Sequence, residues 1–149
     1  MALDMAKYRA LFLEETTEHL AEVSRALIDL EKDPASSGSI DLVFRMAHSI
    51  KSMAASVGHD AITDVAHALE DRMETVRSSG RIEGEDGLSA LFRGLEGLER
   101  MVAVVRSEDR SPDPDPELVA ALQKAPRPSA VAAEDRLAVG GPPEKKASS

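Results

Sequence analysis

Apolar residues recur along this chain in steps of three and four, the spacing that lines one side of an α-helix. From about Leu3 to Lys32 the stripe is Tyr8, Phe12, Thr16, Leu20, Val23, Leu27 and Leu30, with Lys7, Glu14, Glu18, Glu22, Arg25 and Asp29 on the other faces. Asp33-Pro34 stops this segment, and Ala35 to Ser39 reads as a small-residue loop. A second stripe, Ile40, Val43, Ala47, Ile50, Ala54 and Val57, predicts a helix from Ser39 to Val57, with Ser39 as N-cap, Asp41 near the positive helix end and Gly58 as the left-handed terminator. A third helix opens on Asp60 as N-cap, carries Ile62, Val65, Ala66, Leu69, Met73 and Val76, and ends at Ser78-Ser79-Gly80. A fourth begins near Glu85 or Asp86 and carries Leu88, Leu91, Leu95, Leu98, Val102 and Val105. Gly87, Gly94 and Gly97 each weaken it by about 1 kcal/mol relative to alanine, or else permit close approach of a neighbouring helix.

After the turn-rich run Ser111-Pro112-Asp113-Pro114-Asp115-Pro116, Asp115 as N-cap and Pro116 at the first helical position predict a short fifth helix with Leu118, Val119 and Leu122 apolar. From Ala125 onward the composition turns to Pro, Ala, Gly, Ser and scattered charges, which predicts a flexible linker or tail. No sustained alternation marks a strand. The expected fold is all-α: residues 1–124 as an antiparallel up-and-down four-helix bundle plus a short C-terminal helix, and residues 125–149 as tail. The tail resembles an interdomain linker, so the expectation is a fragment of a larger protein.

Composition narrows the chemistry. At 149 residues the chain can bury roughly two-thirds of its unfolded surface, enough for one core and too little for an enzyme with separate cofactor and substrate domains. It has no cysteine, which removes disulfides, thiolate metal sites and cysteine nucleophiles, and no asparagine. The net charge is −9; residues 125–149 hold four basic and three acidic side chains, so the helical part carries −10. That acidity argues against nucleic acid or an anionic membrane as partner. No secretory signal or membrane-spanning run is present, so a cytoplasmic location is expected.

Without cysteine, the four histidines become the leading candidates for a covalent nucleophile. His19 reads as a partly exposed, hydrogen-bonded residue and His59 as a solvent-facing loop residue. His48 sits just off the apolar stripe of the second helix, with Phe44 and Arg45 one turn before it, Lys51 and Ser52 one turn after, and Ala55 beyond. On the third helix His67, Glu70 and Glu74 share a face beside the stripe. Antiparallel neighbours can bring Glu70 against the His48 ring, where a carboxylate accepting from Nδ1–H leaves Nε2 as the nucleophile and Lys51 to neutralise phosphoryl oxygens. The plainer reading is a surface histidine beside a solvated charged stripe.

Phe44-Arg45-Met46-Ala47-His48-Ser49-Ile50-Lys51 resembles the F-R-x-A-H-[ST]-[IL]-K signature of histidine phosphotransfer (HPt) domains, in particular the N-terminal phosphoacceptor domain of CheA-type chemotaxis histidine kinases. Phe12-Leu13-Glu14-Glu15 with His19-Leu20, and His67-Ala68-Leu69-Glu70-Asp71, are similar to further segments of that family. The resemblance covers about residues 3–124. It implies that His48 is phosphorylated, that Glu70 orients its ring, and that Lys51 and His67 complete the polar network. Ser52 stands where the family usually has glycine. Phe44, Ser52, Ala55 and Glu74 are the expected docking residues.

The resemblance also assigns partners: an ATP-binding kinase domain in the same or another polypeptide, and a CheY-like response regulator whose aspartate receives the group. ATP and Mg2+ belong to those partners, because this chain lacks the asparagine box and glycine-rich phosphate loop of a kinase; the parent protein is expected to be a histidine autokinase. Two other classes compete. One is a helical docking module without chemistry. The other is a metal-bearing bundle, for which Lys51 beside His48 is unfavourable and the Glu15/His19 and His67/Glu70 pairs fall short of the needed ligands.

Overall fold

The computed structural model describes residues 4–84 and 86–124. Five helices follow in order: α1 (Met5–Lys32), α2 (Ser37–Ser56), α3 (Asp60–Ser79), α4 (Gly87–Glu108) and α5 (Pro116–Gln123). Among the described residues there is no strand. Each of the first four helices packs on the two beside it, α1 and α3 both flanked by α2 and α4, and α5 lies across α3 and α4. The expected tail, residues 125–149, lies outside the described residues.

Contacts at the two ends of the bundle establish the up-and-down topology. At one end the Ile82 N–H donates to the Pro34 carbonyl (3.0 Å), tying the α3–α4 connection to the α1–α2 connection. At the other, Arg9 near the start of α1 donates to the Val105 and Arg106 carbonyls at the end of α4 (2.7 and 2.9 Å). The Val105 carbonyl also accepts from the Asp109 N–H (3.1 Å), and the Arg106 carbonyl is one of those a helix C-terminus leaves without an intrahelical partner.

The helix ends follow local chemistry, with two shifts from expectation. Asp4 caps α1 by accepting from Lys7 N–H, and Asp115 caps α5 by accepting from Leu118 N–H ahead of Pro116. Ser36, not Ser39, caps α2: its hydroxyl accepts the Ser39 N–H, so the helix begins earlier than the apolar stripe does. His59, not Asp60, occupies the cap position of α3, and Asp60 lies in the first turn, where a carboxylate favours the helix dipole. Gly58 and Gly80 take positive φ (82° and 87°), as terminators of α2 and α3.

The expected stripes form the core, including Leu27, Leu30, Ile50, Ile62, Leu69, Leu91 and Leu98, each at most 1% exposed. Tyr8 is the exception on α1; it is 47% exposed. The α4 glycines answer the close-approach question. A Cβ at Gly94 would lie 3.2 Å from Leu122 Cδ2, and one at Gly97 would overlap the Leu118 side chain, so both glycines let α5 seat its two buried leucines. Arg72, itself only 9% exposed, reaches from α3 to donate Nη1 to the Leu122 and Lys124 carbonyls (both 2.9 Å), which fixes the end of α5. Burial pushes its pKa down.

Candidate functional site

The seam between α2 and α3 carries the chemistry. Ala47 and Ile50 hold α2 in the core, which leaves the intervening His48 on the surface with its side chain 58% exposed. Leu69 and Met73 do the same for α3, but Glu70 points along the seam and is buried to 9% exposure. His48 Nδ1 lies 2.6 Å from Glu70 Oε2, and Lys51 Nζ lies 2.5 Å from Glu70 Oε1. A buried carboxylate is costly unless paired. Here burial pushes the Glu70 pKa up, while hydrogen bonds from Lys51 and His48, and then their charges, outweigh it and hold the carboxyl below its ordinary value.

That ionisation fixes the imidazole. An ionised carboxylate only accepts, so Nδ1 carries the hydrogen and the lone pair of the neutral ring sits on Nε2. Among the described residues Nε2 has no hydrogen-bond partner. The arrangement is therefore a nucleophilic nitrogen at the surface, with a buried anion behind it to stabilise positive charge that develops on the ring when Nε2 is substituted. Lys51 is only partly exposed and already paired with Glu70. It balances the carboxylate in the resting site.

The other expected residues divide. His67 is on the exposed face of α3, but its Nε2 lies 3.5 Å from Asp71 Oδ2 on its own helix. Asp71 is thus its near polar neighbour on the exposed face of α3, while Glu70 turns inward to the seam. Ser52, Ala55 and Glu74 are exposed, and Phe44 is partly buried and packs against the core. Arg77 was missed: its guanidinium stands 4.2 Å over the Phe44 ring, and the only sequence signal was its place two turns beyond Glu70 on one helix face.

The remaining histidines depart from expectation. His59 is half-buried, its Nδ1 is 2.8 Å from Ser111 Oγ, and its ring is 5.2 Å from that of Phe12. Burial, then the Arg9 charge, lowers its pKa. His19 is partly exposed as expected, but among the described residues its Nδ1 has no hydrogen-bond partner. Among the described residues no group of three or more His, Asp or Glu side chains is arranged to hold a metal ion, and no helix is long and apolar enough to cross a membrane.

The family model of the Hpt domain matches residues 7–127. This chain belongs to the Hpt domain family. The Hpt domain is a phosphotransfer module, and its relatives are chemotaxis proteins. Chemotaxis protein CheA of Bacillus subtilis is 35% identical over 100 residues, which is 67% of this chain and 15% of that protein. CheA of Klebsiella aerogenes is 27% identical over 143 residues, 96% of this chain and 22% of that protein. The Hpt domain thus spans less than a quarter of the length of either relative. Among solved structures, the CheA phosphotransferase domain from Thermotoga maritima superposes with a TM-score of 0.64 at 31% identity, covering 71% of this chain and 100% of that one. Neither a docking module without chemistry nor a metal-bearing bundle is favoured by these matches.

Proposed function

We propose that this Hpt domain is a covalent phosphoryl carrier in a chemotaxis phosphorelay, with His48 as the residue that carries the group. The observation that supports this most is the 2.6 Å bond from His48 Nδ1 to a buried, ionised Glu70, because it presents Nε2 as a nucleophile at an accessible surface. In the first step the Nε2 lone pair forms a bond to the γ-phosphorus of ATP held by a kinase domain, while the bond from that phosphorus to the ADP oxygen breaks. Glu70 keeps the Nδ1 proton and stabilises the positive ring. In the second step a regulator aspartate oxygen bonds to phosphorus as the N–P bond breaks, which returns the ring to its neutral form.

ATP, Mg2+ and the acid–base groups belong to the partners. Those partners are an ATP-binding kinase domain, in cis or in trans, and a CheY-like response regulator, with the whole relay in the cytoplasm. Lys51 restrains Glu70 and lies one turn from His48, within range of phosphoryl oxygens once the group arrives.

The test is to incubate the chain with candidate kinase domains and labelled ATP, then with a panel of response regulators. The label on this chain should be acid-labile and base-stable, and should pass to one regulator faster than to the rest. His48→Gln that labels as well as the wild type would remove the assignment.

A further inference from the structure

Arg77 reaches from α3 across the seam to α2. Its guanidinium carbon stands 4.2 Å over the Phe44 ring, while its carboxylate neighbours, Asp41 and Glu74, lie at 3.8 and 3.9 Å. Those ion-pair distances exceed hydrogen-bond range. Asp41 is meanwhile bonded to Arg45 at 2.8 Å. The stack on Phe44 therefore sets where the guanidinium sits, and the carboxylates offset its charge.

The position matters because α2 and α3 run antiparallel. One turn back from His48 on α2 and two turns forward from Glu70 on α3 lead in the same direction along the seam, to Phe44 and Arg77. Helical side chains lean toward the N-terminus of their own helix. His48 thus leans toward the turn of Phe44, and Arg77 leans back toward Glu74 and Glu70. The two converge on the ground from which a partner approaches Nε2, and Phe44 forms part of that ground.

We propose that Arg77 is a positioning residue for phosphotransfer: by holding the Phe44 ring against the seam, it fixes the surface that a response-regulator domain meets beside His48. The inference rests on His48 being the phosphoacceptor. Long-range attraction is not its contribution, since Asp41 and Glu74 offset its charge on a domain that is acidic throughout. It acts through one ring.

The experiment is steady-state phosphotransfer from the labelled full chain to the response regulator that accepts fastest from wild type, with KM and kcat measured separately and folding followed by far-UV circular dichroism. Arg77→Ala should raise KM about threefold and leave kcat within about twofold, the scale of one surface cation–π contact. Phe44→Leu, which keeps apolar bulk but no π face, should do the same, and Phe44→Tyr should stay at the wild-type value. The double variant Arg77→Ala/Phe44→Leu should again show about threefold, because the two residues act as one unit. An unchanged KM in folded Arg77→Ala, or a double variant that multiplies to about ninefold, overturns the proposal. A His48→Gln chain that still takes label would instead overturn the phosphoacceptor reading, so the two failures are told apart.

Discussion

Glu70 and His48, on separate helices and 22 residues apart, meet at 2.6 Å through a carboxylate that is nearly buried and an imidazole that is mostly exposed. The contrast in exposure is what gives the pair its chemistry. The anion is screened little by water, and the nucleophile stays open to a partner.

Removing the anion should therefore slow the first step without unfolding the bundle. Glu70→Gln can still accept from Nδ1–H but supplies no negative charge, and phosphorylation should slow by about 10- to 100-fold, the range for losing a group that orients a reacting histidine. Glu70→Ala should slow it further. Single-turnover labelling rates check this, and a Glu70→Gln rate equal to wild type would deny Glu70 its role.

In the α2–α3 connection, His59 predicts a pH dependence of stability. Its folded pKa lies below its unfolded value, by burial first and the Arg9 charge second. The unfolded chain then binds more protons than the native one as pH falls from the ordinary histidine range toward the folded pKa. His59 should thus contribute full stability above the unfolded value and lose it progressively through that window. Urea midpoints measured between pH 8 and pH 5 should fall more steeply for wild type than for His59→Gln. Parallel curves would show that His59 is not the sensor.

Much of this was legible in the sequence, and the parts that were not have physical reasons. Four of the helix stripes are periodic, and burial follows them because one apolar face per helix suffices to place it in a bundle. Glu70 was found because His48 and Glu70 each sit one step off a stripe, which in an antiparallel pair is where side chains meet. The start of α2 was misplaced because Ser36 and Ser39 are both good caps, and only the geometry of the loop selects between them. His59 was read as solvent-facing because its neighbours, Phe12 and Ser111, come from distant helix ends. Arg72 and Arg77 were invisible for the same reason: charged residues on a helix surface look alike until the partner carbonyl or ring is known.

Arg72 gives the third prediction. Its buried guanidinium satisfies two carbonyls at the end of α5. Arg72→Met keeps the apolar stem but leaves those carbonyls unpaired, which should cost about 1–3 kcal/mol. The loss should be concentrated in α5, so amide exchange there should accelerate more than in α2, and labelling at His48 should be unaffected. Uniform acceleration across all five helices would mean that Arg72 supports the bundle generally and not the seat of α5.

The glycines of α2 and α4 make opposite predictions for one substitution. Alanine is the better helix former by about 1 kcal/mol, and it also restricts the unfolded chain. At Gly38, exposed in the first turn of α2, an added Cβ meets nothing within 4 Å, so Gly38→Ala should raise stability by about 0.5–1 kcal/mol. At Gly97 the same methyl overlaps the side chain of Leu118, which is only 4% exposed. Gly97→Ala should displace α5 and destabilise by about 1–3 kcal/mol despite the gain in helix propensity. The pair isolates packing from propensity, because the chemical change is identical. Thermal melts decide it: if Gly97→Ala raises the midpoint as Gly38→Ala does, α5 does not dock on α4 through the space these glycines leave.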